Sequence, residues 1–194
     1  MTSITNFSLV AYLHADLIRA RRLMYGTNGS SLGCRLWLGL FSPRFLPVFF
    51  CRLAYYFYNR KLIFLSKLTS FVNYVFFGIE IAVRCPIGPG LFFPHTQGTV
   101  IGAWAIGSNA TIFQGVTLGA KQLDFEYLEN LRPLIGCGVT IGAGAKVLGG
   151  LKLGDGTCIG ANSVVLTSIP IRALAAGIPA RIIRIMDGEN IEAS

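Results

Sequence analysis

The sequence predicts a mainly β protein: a parallel β-helix of hexapeptide repeats preceded by an α-helical segment. Three observations carry that expectation. An aliphatic or aromatic residue recurs at every sixth position across the second half of the chain. Glycine directly follows many of these positions, which gives a reason for 23 glycines in 194 residues. The first part lacks the sixfold pattern and shows helix-like apolar spacing instead.

The series runs Ile81, Ile87, Phe93, then Val100 after one extra residue, Ile106, Ile112 and Leu118. After a gap it resumes as Ile135, Ile141, Val147, Leu153, Ile159 and Val165 without a slip. A period of six suits neither a 3.6-residue helix nor a free two-residue alternation. It suits a short strand plus a corner, repeated, with the aliphatic inward and glycine easing the bend. Three steps close one coil, so the series amounts to roughly four coils, a prism on the order of 20 Å tall at ~4.8 Å per strand.

The chain divides accordingly into a helical segment over 1–78, a β-helix over 79–184 and a tail over 185–194. Residues 7–22 and 45–77 read as two or three helices joined around the glycine-rich stretch 26–33. Residues 120–134 (AKQLDFEYLENLRPL) lack the hexad and are more charged, so they read as an outward loop. Long excursions from a regular solenoid tend to be functional.

Charge and aromatics are unevenly placed. The first eighty residues hold net charge +7 and 17 of the 23 aromatics, against +1 for the remainder. Arg44, Arg52, Pro43 and Pro47 interrupt the apolar region, and 71–77 is too short to span ~30 Å of hydrocarbon, so no transmembrane helix is expected. Two readings of residues 35–77 stay open: peripheral contact with an anionic membrane surface, or aromatics packed on the β-helix beside a solvated basic face. Five cysteines without a CxxC pair read as free thiols, which suits a cytoplasmic protein.

The chain has two histidines. His14 lies in a helix-like segment and reads as structural. His95, in FFPHTQG at the irregular step of the hexad, has the pKa of a general base for an alcohol. Too few imidazoles and no thiolate cluster argue against a metal site. No phosphate-binding Gly-Lys-Ser/Thr loop and no nucleic-acid reading motif occur.

The runs GIEIAVRCPIGPGLFFPHTQGTVIG, IFQGVTLGA and IGAGAKVLGGLKLGDGTCIGANSVVL, ending AAGIPARII, resemble the serine acetyltransferase branch of the hexapeptide acyltransferases over about residues 78–184. Residues 16–20 more faintly resemble that family's Asp-Ile-Arg-Ala helix. The resemblance implies a left-handed β-helix, a homotrimer, and acetyl-CoA as co-substrate in clefts between subunits. It implies His95 as general base and the N–H groups of Gly119 and Ala120 as oxyanion donors. Ala143, Lys146 and Ala161 match positions along the pantetheine arm, and Pro179 and Arg181 the segment near the nucleotide.

Departures accompany the likeness. Pro94 replaces the family's Asp before the catalytic His, Met24 stands at a second Asp position, and the family's Gly-Gly-Asp-Arg-His-Pro-Lys loop is replaced by 120–134. Glu80 and Arg132 remain as acceptor-binding residues. An ammonium without carboxylate partners is costly to desolvate. The expectation drawn is therefore an O-acetyltransferase whose acceptor is a hydroxyl on a surface-polysaccharide sugar. Serine O-acetylation for cysteine biosynthesis is the alternative, and a non-catalytic trimeric scaffold at a membrane surface the second alternative.

Overall fold

The computed structural model describes residues 7–26 and 42–186. Most of the 26–33 stretch and nearly all of the 185–194 tail lie outside the described residues. Among the described residues, thirteen strands, mostly of two or three residues, wind as a left-handed parallel β-helix behind three α-helices: α1 (Leu9–Tyr25), α2 (Leu46–Asn59) and α3 (Ile63–Phe77).

The coils stack into three sheets. Sheet A is β1 (Ile79–Ile81), β2 (Thr99–Ile101), β5 (Thr117–Gly119), β8 (Lys146–Leu148) and β11 (Val164–Val165). Sheet B is β3 (Ala105–Ile106), β6 (Leu134–Ile135) and β9 (Lys152–Leu153). Sheet C is β4 (Thr111–Ile112), β7 (Thr140–Ile141), β10 (Cys158–Ile159), β12 (Ala173–Gly177) and β13 (Ala180–Ile185). Among the described residues all pairings between coils are parallel, and only β12 and β13 form an antiparallel hairpin, which closes one end.

The sixfold residues form the inward ladders. Ile112, Ile141 and Ile159 stand in register in sheet C, and Ile106, Ile135 and Leu153 in sheet B, all buried. Each such side chain contributes roughly 1.5–3 kcal/mol by leaving water. Glycines after the sheet B positions allow the coils to close: a Cβ on Gly107 would stand 2.6 Å from the backbone of Gly136 and Cys137.

One ladder position differs from expectation. Val100 points outward, and Ile101, 1% exposed, takes the inward place between Ile81 and Leu118. The corner after Phe93 is thus two residues longer than the hexad, and the next corner one shorter. The extra chain belongs to the corner that carries His95.

The helical segment packs on the β-helix through its charges. Asp16 on α1 is fully buried and pairs with Arg52 on α2, Nε to Oδ2 at 2.8 Å. Its Oδ1 also accepts from the backbone N–H groups of Gly90 and Leu91 at 2.7 and 2.8 Å. Arg52 donates onward to the carbonyls of Ile87 and Gly88, and Arg19 to those of Gly90 and Ala110. Val48 and Cys51 of α2 join the core beside Ile79 and Ile81, so α2 plugs the other end of the prism. Two of the arginines that give the first part its basic balance are therefore internal struts.

Candidate functional site

Each coil has three corners, and the structure uses them differently. The corner from sheet B to sheet C is occupied by the Asp16, Arg19 and Arg52 network described above. The corner from A to B throws out the loop between Gly119 and Leu134. The corner from C to A is left open.

The open corner stacks into a column. Gly115 N–H donates to Gln97 O at 2.9 Å, Gly144 N–H to Gln114 O at 2.8 Å, and Asn162 N–H to Ala143 O at 2.8 Å. Gly177 N–H reaches Ser163 Oγ at 3.2 Å, which sets the β12–β13 turn at the top. His95 sits exposed at the base of this column, and Arg181 is exposed beside the turn at its head. Thr96 holds the base by donating from Oγ1 to Phe77 O at 2.7 Å, and Arg44 Nε donates to Pro94 O at 3.3 Å. The column thus brings together His95, Ala143, Lys146, Ala161 and Arg181, in that vertical order.

Beside the column runs the outward ladder of sheet A: Glu80, Val100, Thr117, Lys146 and Val164 in register. Glu80 is exposed and is the one carboxylate on that ladder. Lys146 Nζ turns to the corner and donates to Gly115 O at 2.5 Å. Next to it, Gln114 Oε1 is buried without a hydrogen-bond partner among the described residues. Buried polar atoms are normally satisfied, so this oxygen is suited to an amide N–H from outside the chain. Nothing in the hexad pattern singles out Gln114 beyond its place two residues after an inward Ile112.

Gly119, Ala120 and Arg132 lie at the opposite edge of sheet A. A Cβ on Gly119 would meet nothing within 4 Å, unlike the glycines between coils, so its own chain does not require a glycine there. Arg132 is a strut of the loop: its Nε donates to Asp124 Oδ2 at 2.6 Å, Nη1 to Gly102 O at 2.8 Å and Nη2 to Asp124 O at 2.9 Å. Its guanidinium lies 3.8 Å over the Tyr127 ring. Asp124 also accepts from the N–H groups of Tyr127 and Leu128. Desolvation raises the Asp124 carboxyl, but the Arg132 and backbone hydrogen bonds outweigh it and hold the pKa below the ordinary value. Tyr127 donates to Ala103 O at 2.6 Å, and burial, then the neighbouring Cys85, raises its hydroxyl well above the usual phenol range. Tyr127, Trp104, Tyr58, Pro86 and Arg84 line a concavity of about 300 Å³ at this corner.

One chain therefore does not join the His95 edge to the Gly119 edge. They flank the same sheet, and the strand between them keeps them apart. Among the described residues no cluster of His, Cys, Asp and Glu is arranged to hold a metal.

Comparison with known proteins fits this geometry. Residues 132–167 match the family described as bacterial transferase hexapeptide (six repeats). The chain is 42% identical over 141 residues to the serine acetyltransferase of Bacillus pumilus, covering 72% of this chain and 63% of that protein. It thus spans less than two thirds of the curated relatives it matches. The serine acetyltransferase structure from Neisseria gonorrhoeae superposes with TM-score 0.80 at 28% identity, over 94% of this chain and 68% of that one. The Brucella abortus serine acetyltransferase in complex with coenzyme A gives TM-score 0.77 at 30% identity, over 92% and 68% of the two chains.

These names overturn the expectation of a polysaccharide sugar as acceptor. That expectation leaned on the missing carboxylates and on a basic segment suited to anionic glycans. Arg19 and Arg52, however, are internal struts, and Glu80 stands on the ladder beside the open corner. The likeness runs through helices and coils alike, and the chain belongs to the hexapeptide-repeat acyltransferases, on their serine acetyltransferase-like branch.

Proposed function

We propose that the chain is an acetyl-CoA-dependent O-acetyltransferase acting on the hydroxyl of L-serine, assembled as a homotrimer. The observation that carries this is the exposed imidazole of His95 at the foot of an open corner column, on the one histidine of the β-helix. His95 takes the proton of the serine hydroxyl as the oxygen attacks the thioester carbonyl. The C–S bond then breaks, the acetyl group passes to oxygen, and the coenzyme A thiolate receives the proton. Glu80 faces the acceptor ammonium, replacing the charge that Pro94 does not supply.

The donor runs up the column past Ala143 and Ala161, whose small side chains leave room for an extended arm. Gln114 Oε1 accepts from one of its amides, and Arg181 meets its phosphates. The N–H of Ala120 stabilises the oxyanion from the edge of an adjoining copy, beside Gly119, whose own N–H is engaged in the β5–β8 ladder. A threefold heterologous contact, in which one edge of each copy meets the other edge of the next, brings the two half-sites together.

Release of free thiol from acetyl-CoA tests the proposal. Thiol should appear with L-serine and not without an acceptor. His95→Ala should lower kcat by about 10²–10⁴ with the assembly intact. Glu80→Gln should lower kcat/KM for serine by roughly 10–100-fold, the worth of one charge-assisted hydrogen bond, mainly through KM. Absence of thiol release with L-serine would sink the proposal.

A further inference from the structure

The third helix is built inside out. Its side toward α2 is polar: Ser66 is fully buried and donates to Ala54 O at 2.8 Å, and Asn73, 2% exposed, donates to Pro47 O at 3.0 Å. Its outer side is apolar: Phe64, Leu68, Phe71 and Val75 recur at helical spacing and are 76, 47, 61 and 56% exposed, with Phe76 at 73% beside them. An ordinary surface helix has the reverse arrangement. A contiguous exposed apolar stripe of this kind marks a contact surface.

Charge says what it contacts. Residues 42–77 contain no Asp or Glu, and Arg60, Lys61 and Lys67 are exposed at or next to the stripe. In the described part of the helical segment the only carboxylate is Asp16, buried and already paired. Two copies meeting through the same stripe would bring these cations together without a counter-charge. Anionic headgroups above an apolar layer match both features at once. At 15 residues α3 is about 22 Å long, and none of the described helices is long and apolar enough to cross a membrane. An in-plane position fits that length.

We propose that the outer face of α3 lies on an anionic lipid surface, with Phe64, Leu68, Phe71 and Val75 in the acyl boundary and Lys61 and Lys67 at the phosphates. The β-helix, joined to α3 through Gly78, then stands off the membrane with His95 close to its foot. This goes beyond acetyl transfer and does not depend on it.

Cosedimentation of the full chain with phosphatidylcholine vesicles, with and without phosphatidylglycerol, tests it. Wild type should bind the anionic vesicles, weakly bind the neutral ones, and lose binding in high salt. Phe64→Ser/Phe71→Ser/Phe76→Ser should weaken binding at least tenfold with melting temperature and circular dichroism unchanged. Lys61→Glu/Lys67→Glu should weaken it comparably, whereas Lys121→Glu/Lys152→Glu, on the β-helix, should not. Wild type failing to bind anionic vesicles, or binding untouched by both α3 variants, overturns the proposal. So does a larger wild-type assembly that the triple Ser variant dissociates, since a second copy would then cover the stripe. Thiol release with L-serine by the wild type is measured separately and tests acetyl transfer whichever of these results is found.

Discussion

Replacing Arg52 by Leu removes the strut that ties both helical elements to the first coil. Arg52 is 2% exposed and donates four hydrogen bonds, two to Asp16 and one each to the carbonyls of Ile87 and Gly88. Without it the Asp16 carboxylate keeps only the N–H groups of Gly90 and Leu91, and two buried carbonyls lose their donor. Breaking a buried pair from one side costs about 3–5 kcal/mol, against a total stability of roughly 5–15 kcal/mol. With an m value of ~2 kcal/mol per M, the urea midpoint should fall by about 2 M at fixed protein concentration. Asp16→Leu should cost a similar amount, because it strands the guanidinium. The double replacement removes both charges, so its cost should be less than the sum by roughly 2–3 kcal/mol. Circular dichroism and Trp fluorescence in a urea series measure all three. A loss under ~1 kcal/mol for Arg52→Leu, or strict additivity, would show that the pair is not what holds the helices down.

Two further expectations follow from ionisation. The Asp124 carboxyl titrates below its ordinary value when folded, so its anchoring of the loop is fully present above the unfolded pKa and lost as pH falls through the folded one. Amide exchange at Tyr127 and Leu128, corrected for intrinsic rates, should stay protected from pH 7 to pH 5 and lose protection below about pH 4; constant protection into stronger acid would count against the anchor. Burial pushes the Cys51 thiol up to about 11 and Cys85 further, so these thiols favour the fold at neutral pH and lose that contribution as pH rises from 9 through the folded values. Iodoacetamide at pH 8, read by peptide mapping, should modify exposed Cys137 quickly and leave Cys51 and Cys85 until the protein unfolds.

What was legible in the sequence is what repeats. A sixfold ladder forces the coil because each inward aliphatic needs a neighbour one rung away, so thirteen such positions declare the prism. Legibility failed where the period was broken. Val100 and Ile101 are both aliphatic, and spacing alone placed the wrong one inward; only pairing with Ile81 and Leu118 decides it. The Asp16–Arg52 pair spans 36 positions, and pattern reading assigned its arginine to a basic surface. A trace was present, since Asp16 is the one acid among nine cations in the first 79 residues, which invites a partner. The polar line of Ser66, Ser70 and Asn73 at helical spacing was likewise visible, but apolar content masked which side of α3 it faced. Arg132 looked free to hold an acceptor because Asp124, eight positions away, meets it only through the fold of the loop.

The division of corners bears directly on assembly. Helices occupy one corner, the loop another, and the remaining corner holds His95, while Gly119 stands across sheet A from it. If His95 from one copy works with the N–H of Ala120, beside Gly119, of the next, each defect can be placed in a different chain. His95→Ala and Gly119→Trp should each be nearly inactive alone, the first lacking the base and the second filling the open space at that glycine. Coexpression in equal amounts lets the two assort at random around the threefold. A site is intact when its base comes from the Trp chain and its oxyanion donor from the Ala chain, which happens for about one site in four. Thiol release should therefore recover to about a quarter of wild type in the mixture. If both groups act within a single chain, every site carries one defect and mixing restores nothing, and the shared half-site arrangement falls with it.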